Sequence, residues 1–344
     1  MYSLDIHQQY MLNAIELAEK GRGSVSPNPL VGCVIVKDGR VIAEGYHKKF
    51  GSSHAEIDAL NNCSEDPSGA DLYVTLEPCS YFGKTPPCVD AIISSSIKNV
   101  FIGIKDPNEK INGNGIGKLK LAGIQVFEDI LKKECHELNI SFLHWIKTKK
   151  PWVIAKVAQS NDGFMGTTSK ESVWITGEDS RKNVHKLRSK VDGILIGRKT
   201  AQMDNPSLTV RKVLGSNPTR IIADTFRKLS LNLNIFNDKE SKNIVLCSDK
   251  TFDDSETSFC EYLAVKQKGN ILDPIHILEV LGEHGFTSIM VEGGKELLSS
   301  FIKEDLIDEI HLYTSNNNLK DGQLLNPVFI DKEFWNIIDT IEFE

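Results

Sequence analysis

The stretch from His54 to Cys88 constrains this chain more than any other part of it. It opens with His54-Ala55-Glu56 and closes with Pro78-Cys79-Ser80-Tyr81-Phe82-Gly83-Lys84-Thr85-Pro86-Pro87-Cys88. One imidazole and two thiols are thus accompanied by a carboxylate two residues from the imidazole. Structural zinc sites close their tetrahedron with four protein ligands, whereas catalytic sites use three and keep one position for water. The set His54, Cys79 and Cys88 therefore points to catalysis. Zinc lowers the pKa of its bound water toward about 7, and a nearby carboxylate outside the ligand set can carry the proton to a leaving group. Glu56 is placed for that transfer.

A His-x-Glu followed by Pro-Cys-x-x-Cys is the pattern of the zinc nucleobase deaminases. Here eight residues separate Cys79 from Cys88, so a loop rather than one helical turn must bring the sulfurs together. Pro86 and Pro87 can precede a helix whose first turn carries Cys88, because proline is tolerated there. Both thiolates are then expected at helix N-termini, where the dipole favours negative charge. A pair of buried thiols is the bland alternative, but the upstream His-Ala-Glu and the strand-like residues 72–76 between favour metal.

At 344 residues the chain exceeds one ordinary core and predicts two domains. The charged run Lys147-Thr148-Lys149-Lys150-Pro151 reads as the linker, placing one domain at 1–148 and another at 151–344. Seven cysteines, with no signal peptide and no long apolar span, indicate a reducing cytoplasm and no membrane. A formal charge of −7 argues against nucleic acid as partner and for a small-molecule substrate.

In chain order, residues 7–20 carry apolar side chains at helical spacing, and 31–36 and 41–46 read as a hairpin around Lys37-Asp38-Gly39-Arg40. The rigid loop Ser26-Pro27-Asn28-Pro29 either presents the Asn28 amide to a heterocycle or is a plain connector. His47 is equally open between loop and pocket. Strands at 99–104 and 123–127 and one helix over 129–146 complete the first half. The second half alternates strands (152–158, 193–196, 219–224, 243–247, 288–291) with helices, the pattern of an α/β layer structure with sites at strand ends. Glu292-Gly293-Gly294, ahead of a helix over 295–301, reads as a cradle for pyrophosphate or as an ordinary turn. Arg188 and Arg211 read as a phosphate clamp or as surface charges.

Together these residues resemble the bifunctional deaminase/reductase family of riboflavin biosynthesis. The marks in the first half are Pro27-Asn28-Pro29-Leu30-Val31-Gly32-Cys33, Gly45-Tyr46-His47, His54-Ala55-Glu56 and Thr75-Leu76-Glu77-Pro78-Cys79 through Cys88. Those in the second are Trp174-Ile175-Thr176-Gly177, His185-Lys186-Leu187-Arg188, the run from Asp204 to Arg211, and Val291-Glu292-Gly293-Gly294. The resemblance implies an α/β chain: a cytidine-deaminase-like three-layer domain followed by a dihydrofolate-reductase-like domain using NADPH. It implies Zn2+ on His54, Cys79 and Cys88, with Glu56 moving protons during hydrolytic deamination of a small phosphorylated pyrimidine. Asn28, His47 and Lys84 match substrate positions of that step. In the second step a ribosyl side chain is reduced to ribityl. There the resemblance assigns Ala158, Trp174, Thr200, Asp204, Thr225, Gly293 and Gly294 to the cofactor, and Ser172, Arg188, Leu208, Arg211 and Glu292 to the substrate. Arg198, Lys199 and Arg227 are nominees for reading the cofactor's second phosphate. A homo-oligomer is expected.

Three departures stand out. Tyr81 replaces a usual histidine, Asn161 a usual leucine in the turn Ser160-Asn161-Asp162-Gly163, and Thr314-Ser315-Asn316-Asn317-Asn318 a segment bearing proline and glycine. They keep open a deaminase with a degenerate C-terminal binding or assembly domain. A nucleic-acid base deaminase and a zinc-stabilised interaction protein are the further alternatives.

Overall fold

The computed structural model describes residues 5–82, 86–108, 112–167, 175–253, 259–319 and 323–325. The chain divides into two compact units, Met1–Thr148 and Lys149–Glu344.

The first unit begins with α1 (Ile6–Glu19), started by a capping box between Asp5 and Gln8 and burying Met11, Ala14, Leu17 and Ala18 on one face. β1 (Gly32–Lys37) and β2 (Arg40–Tyr46) form the expected hairpin. Its two turn residues, Asp38 and Gly39, have φ of 49° and 75°, the left-handed pair that matches strand twist. Then follow α2 (Ala55–Asn61), β3 (Asp71–Leu76), α3 (Cys88–Ser94), β4 (Asn99–Ile104), α4 (Asn114–Leu121) and β5 (Gln125–Phe127). The sheet order is β2-β1-β3-β4-β5, with β1 antiparallel to both neighbours and β3, β4 and β5 parallel.

The single helix expected over 129–146 is two, α5 (Lys132–Leu138) and α6 (Ile140–Thr148). The break falls at Asn139, whose amide accepts the Leu30 N–H at 2.8 Å and donates to the Leu30 carbonyl at 2.9 Å. Satisfying a distant backbone takes precedence over continuing the helix. Alternate strand residues face two separate layers. Cys33, Ile35, Leu72, Val74, Val100 and Ile102 pack with residues of α2, α3 and α4. Val34, Val36, Tyr73 and Phe101 pack with α1, α5 and α6. The unit is a three-layer sandwich.

The second unit contains β6 (Trp152–Gln159), β7 (Phe164–Thr167), α7 (Glu178–Arg188), β8 (Gly193–Gly197), α8 (Arg198–Asp204), β9 (Thr219–Ala223), α9 (Asn234–Asn237) and β10 (Asn243–Ser248). It continues with β11 (Glu261–Val265), β12 (Gln267–Lys268), β13 (Ile271–Leu272), α10 (Pro274–Glu283), β14 (Ser288–Val291), α11 (Lys295–Lys303), β15 (Glu309–Thr314) and β16 (Gln323–Leu325). Seven strands form one sheet in the order β11-β10-β9-β8-β14-β6-β15, every neighbouring pair parallel. All four residues of β14 are buried, as a central strand covered on both faces requires. The sheet's two faces feed separate apolar clusters, one with α10 and α11 and one with α8 and α9. Among the described residues no helix is long and apolar enough to cross a membrane.

Candidate active sites

In the first unit, loops at one end of the sheet collect the predicted ligands. His54 is the N-cap residue of α2, Cys88 is the first residue of α3 behind Pro87, and Cys79 follows β3 by three residues. His54 Nδ1 lies 3.5 Å from Cys79 Sγ and 3.3 Å from Cys88 Sγ, and the three donor atoms lie within 4.8 Å of one another. A nitrogen and a sulfur on tetrahedral zinc stand about 3.6 Å apart, from bond lengths of about 2.05 and 2.3 Å, so the donor set fits that ion. Only one of the two thiols sits at a helix N-terminus, contrary to expectation. Cys79 lies in coil and instead receives the Cys88 N–H at 3.3 Å. Hydrogen bonding from Cys88 leads the effects that hold the Cys79 thiol down to about 4, against burial.

Glu56 stands in the first turn of α2 and is 3% exposed. Burial, followed by the charge of Cys79, pushes its carboxyl up to about 7, a value suited to exchanging protons near neutrality. His47 is buried, its ring 5.6 Å edge-on from that of His54. Its Nδ1 is 3.0 Å from the Ser53 carbonyl, which can only accept, so Nδ1 carries the proton and Nε2 accepts from Asn28 Nδ2 at 3.0 Å. Asn28 and His47 are thus bonded to each other beside His54. Lys84 lies outside the described residues, and Tyr81 is 41% exposed.

Sequence reasoning left Glu77 without a role. Buried beside the Cys79 turn, its carboxylate accepts the backbone N–H groups of Asp106 (3.4 Å), Gly113 (3.0 Å), Gly115 (3.0 Å) and Ile116 (3.2 Å). It therefore caps α4 from a distance, a charge-assisted arrangement at a helix N-terminus. Lys118 Nζ also donates to the Ser80 carbonyl at 2.7 Å, so α4 grips the cysteine turn at two points.

In the second unit a cavity of about 1160 Å3 opens beyond the carboxyl ends of β6, β8, β9 and β14, where β14 inserts between β8 and β6. This is the switch-point crevice where parallel sheets bind ligands. Ala158, Thr200, Asp204, Thr225, Gly293 and Gly294, assigned by resemblance to the cofactor, all line it, as do Arg188, Leu208, Arg211 and Glu292 of the substrate set. Ser172 and Trp174 lie outside the described residues.

Arg188 is not a surface charge, its side chain being 11% exposed. It donates from Nε and Nη2 to Glu292 at 3.0 and 2.6 Å, and from Nη1 to the Thr209 carbonyl at 3.1 Å. Its fork is occupied by a carboxylate rather than held out for phosphate. Lys156, unremarked in the sequence, reaches Glu292 at 3.3 Å; the signal for it was a lysine within an otherwise apolar strand. Burial pushes the Glu292 carboxyl up, but the pull of Arg188 and Lys156 together outweighs it and holds the group at about 2. Arg211 is exposed at the cavity, bonded to the Thr209 hydroxyl at 3.1 Å, while its N–H donates to His185 Nδ1 at 3.1 Å. Gly293 and Gly294 have φ of 111° and 87°, values that side-chain-bearing residues avoid.

Residues 4–104 match the family model of the cytidine and deoxycytidylate deaminase zinc-binding region, and residues 151–316 that of the RibD C-terminal domain. The riboflavin biosynthesis protein RibD of Actinobacillus pleuropneumoniae is 40% identical over 323 residues, covering 93% of this chain and 86% of that protein. The chain belongs to the RibD family. Among solved structures, the diaminohydroxyphosphoribosylaminopyrimidine deaminase/5-amino-6-(5-phosphoribosylamino)uracil reductase of Thermotoga maritima superposes with a TM-score of 0.84 at 38% identity, covering 93% of this chain and 89% of its own. RibD of Acinetobacter baumannii gives 0.82 at 33% identity, covering 99% and 92%. The chain is accordingly a deaminase and reductase of riboflavin biosynthesis, with a cytidine-deaminase-like first domain and a dihydrofolate-reductase-like, parallel-sheet second domain. The alternatives of a lone deaminase, a nucleic-acid deaminase and a non-enzymatic zinc protein give way to it.

Proposed function

We propose that the first unit hydrolyses the exocyclic amine of 2,5-diamino-6-(5-phosphoribosylamino)pyrimidin-4-one, and that the second reduces the ribosyl chain of the product to ribityl with NADPH. The observation that carries the first half is the donor set of His54, Cys79 and Cys88 with a buried, non-ligating carboxylate in the first turn of α2. Zinc held by those three residues supplies a Lewis acid that acidifies water. Glu56 takes both protons of the attacking water in turn, delivering one to the adjacent ring nitrogen and one to the departing amine, which leaves as ammonia while the ring carbon becomes a carbonyl. The Nδ1–H tautomer of His47, fixed by the Ser53 carbonyl, orients the Asn28 amide toward the same pocket. Lys84 is proposed to pair with the substrate phosphate.

For the second half, the cavity residues would hold a nicotinamide cofactor, which would supply the hydride needed to reduce the imine formed when the ribose ring opens. Glu292, kept ionised by Arg188 and Lys156, offers a fixed acceptor to the open-chain hydroxyls. Arg211, Ser172 and Leu208 are proposed to hold the phosphorylated substrate. Ala158, Trp174, Thr200, Asp204, Thr225 and the Gly293-Gly294 turn would seat the cofactor, the turn presenting its amides to pyrophosphate. Seven free cysteines suit a reducing cytoplasm.

The test is mass spectrometry of the diaminopyrimidine ribotide incubated with zinc-loaded protein, without cofactor, with NADPH and with NADH. Deamination alone in the first case and a reduced product with NADPH are expected. A mass that stops at the deaminated product with NADPH would remove the cofactor half, and no change at all would remove the assigned substrate.

A further inference from the structure

Two sequence departures that looked independent, Asn161 and the asparagine-rich segment after β15, meet in space. The Asn161 N–H donates to the Asn317 carbonyl at 2.9 Å, and the Asn161 side-chain amide donates to Asn318 Oδ1 at 3.2 Å. One residue further, Asp162 Oδ1 accepts the Leu319 N–H at 3.1 Å. Where β6 ends, the Ser315 N–H donates to the Gln159 carbonyl at 2.8 Å, and the Gln159 amide donates to Thr314 Oγ1 at 3.2 Å. The turn itself is stiffened by Ser160, fully buried, whose hydroxyl accepts the Phe164 N–H at 3.0 Å and donates to the Asp162 carboxylate.

The three strands so tied form one wall of the reductase cavity. Lys156 and Ala158 face it from β6, Met165 and Gly166 from β7, and Tyr313, the register partner of Ala158, from β15. Among the described residues β7 pairs only with β16, outside the main sheet. Its position relative to β6 is set by the connecting turn, by what holds that turn, and by Met165, which packs on the apolar cluster that includes Val153, Ala155 and Val157. A two-stranded ribbon apart from a larger sheet is marginal on its own and gains from a pinned turn.

We propose that Asn161 and Asn318 are a positioning pair for the reductase. Their side-chain bond latches the β6–β7 turn to the segment after β15 and so fixes the wall against which the nicotinamide cofactor binds, without either residue touching the reacting atoms. The inference rests on the reading of this cavity as the cofactor site.

The test measures the NADPH Kd of the full-length, zinc-loaded chain by fluorescence titration without substrate, and KM and kcat with the deaminated ribotide at saturation, for the native protein and for Asn161→Ala, Asn161→Leu, Asn318→Ala and the double alanine variant; Kd should move with KM. One exposed amide bond and the ordering it provides should change KM for NADPH about 3- to 10-fold, with kcat within about twofold. Because the two side chains share a single bond, the double variant should be no worse than the poorer single one. Asn161→Leu, which keeps bulk and loses the amide, should behave like Asn161→Ala. Native-like KM in the single variants, multiplied effects in the double, or a native-like Asn161→Leu each overturns the latch. So does a fall in kcat at unchanged KM, or a parallel loss of deamination, either of which marks general damage. A native chain that reduces nothing with NADPH would instead remove the cofactor reading itself, and the latch with it.

Discussion

Glu56, Glu77 and Glu292 are three buried carboxylates put to different uses. Replacing Glu56 with glutamine removes the proton carrier but none of the three metal donors. Deamination should fall by about 10^2- to 10^4-fold while metal analysis still finds zinc. Glu77→Ala strands backbone donors at the α4 N-terminus, and each buried unsatisfied group costs about 1–3 kcal/mol. A lower thermal midpoint and faster loss of zinc to a chelator are expected. Glu292 sits at about 2 against an ordinary 4.5, so its folded value is depressed. The stability it contributes is full above the ordinary value and is lost as pH falls from about 4.5 toward 2, a total of about 3 kcal/mol for such a shift. Urea titrations of native protein and Glu292→Gln should therefore differ by a constant amount above about pH 5 and converge below it. His54, Glu56, Cys79 and Cys88 were legible because their chemistry is written in spacing. Glu77 was not, although it lies inside the same motif, because its partners are backbone amides contributed by residues 106–116.

Elements with a strong apolar period were equally plain: α1, the β1–β2 hairpin, β8 and β14 lie where the sequence puts them. The strands left unread, β7, β11, β12, β13, β15 and β16, have no place in the interior of the main sheet. β11 and β15 are the two edges, and β7 lies outside the main sheet. With neighbours on one side at most they tolerate polar residues such as Glu309 and His311, which erases the pattern. The break at Asn139 was unreadable for a similar reason, since it answers to Leu30, far away in sequence. α4 offers a direct test of element packing. A Cβ on Gly115 would stand 2.3 Å from the Pro78 carbonyl, whereas one on Gly117 meets nothing within 4 Å. Gly115→Ala should push α4 off the cysteine turn at about 1–3 kcal/mol. Gly117→Ala should stabilise the same helix by about 0.5–1 kcal/mol. Thermal midpoints of the two variants would shift in opposite directions.

Each unit has its own apolar clusters, three in the first and two in the second, and the zinc donors belong wholly to the first. Chelation should abolish deamination while the chain still reduces the deaminated ribotide, a result read by supplying that intermediate with NADPH and following nicotinamide absorbance. The sheet orders carry a different consequence, in time rather than space. The strands of the first unit end at Phe127, so that unit can close before β6 has left the ribosome. In the second unit, β14 is made late yet sits between β8 and β6. Until Ser288–Val291 emerges, β6 and β8 each wait with an unpaired hydrogen-bonding edge, the kind of surface that invites pairing between chains. A nascent chain stalled before that strand would thus carry a finished deaminase attached to an adhesive half-sheet. Translation speed through residues 197–288 should govern how much of this enzyme reaches its native state.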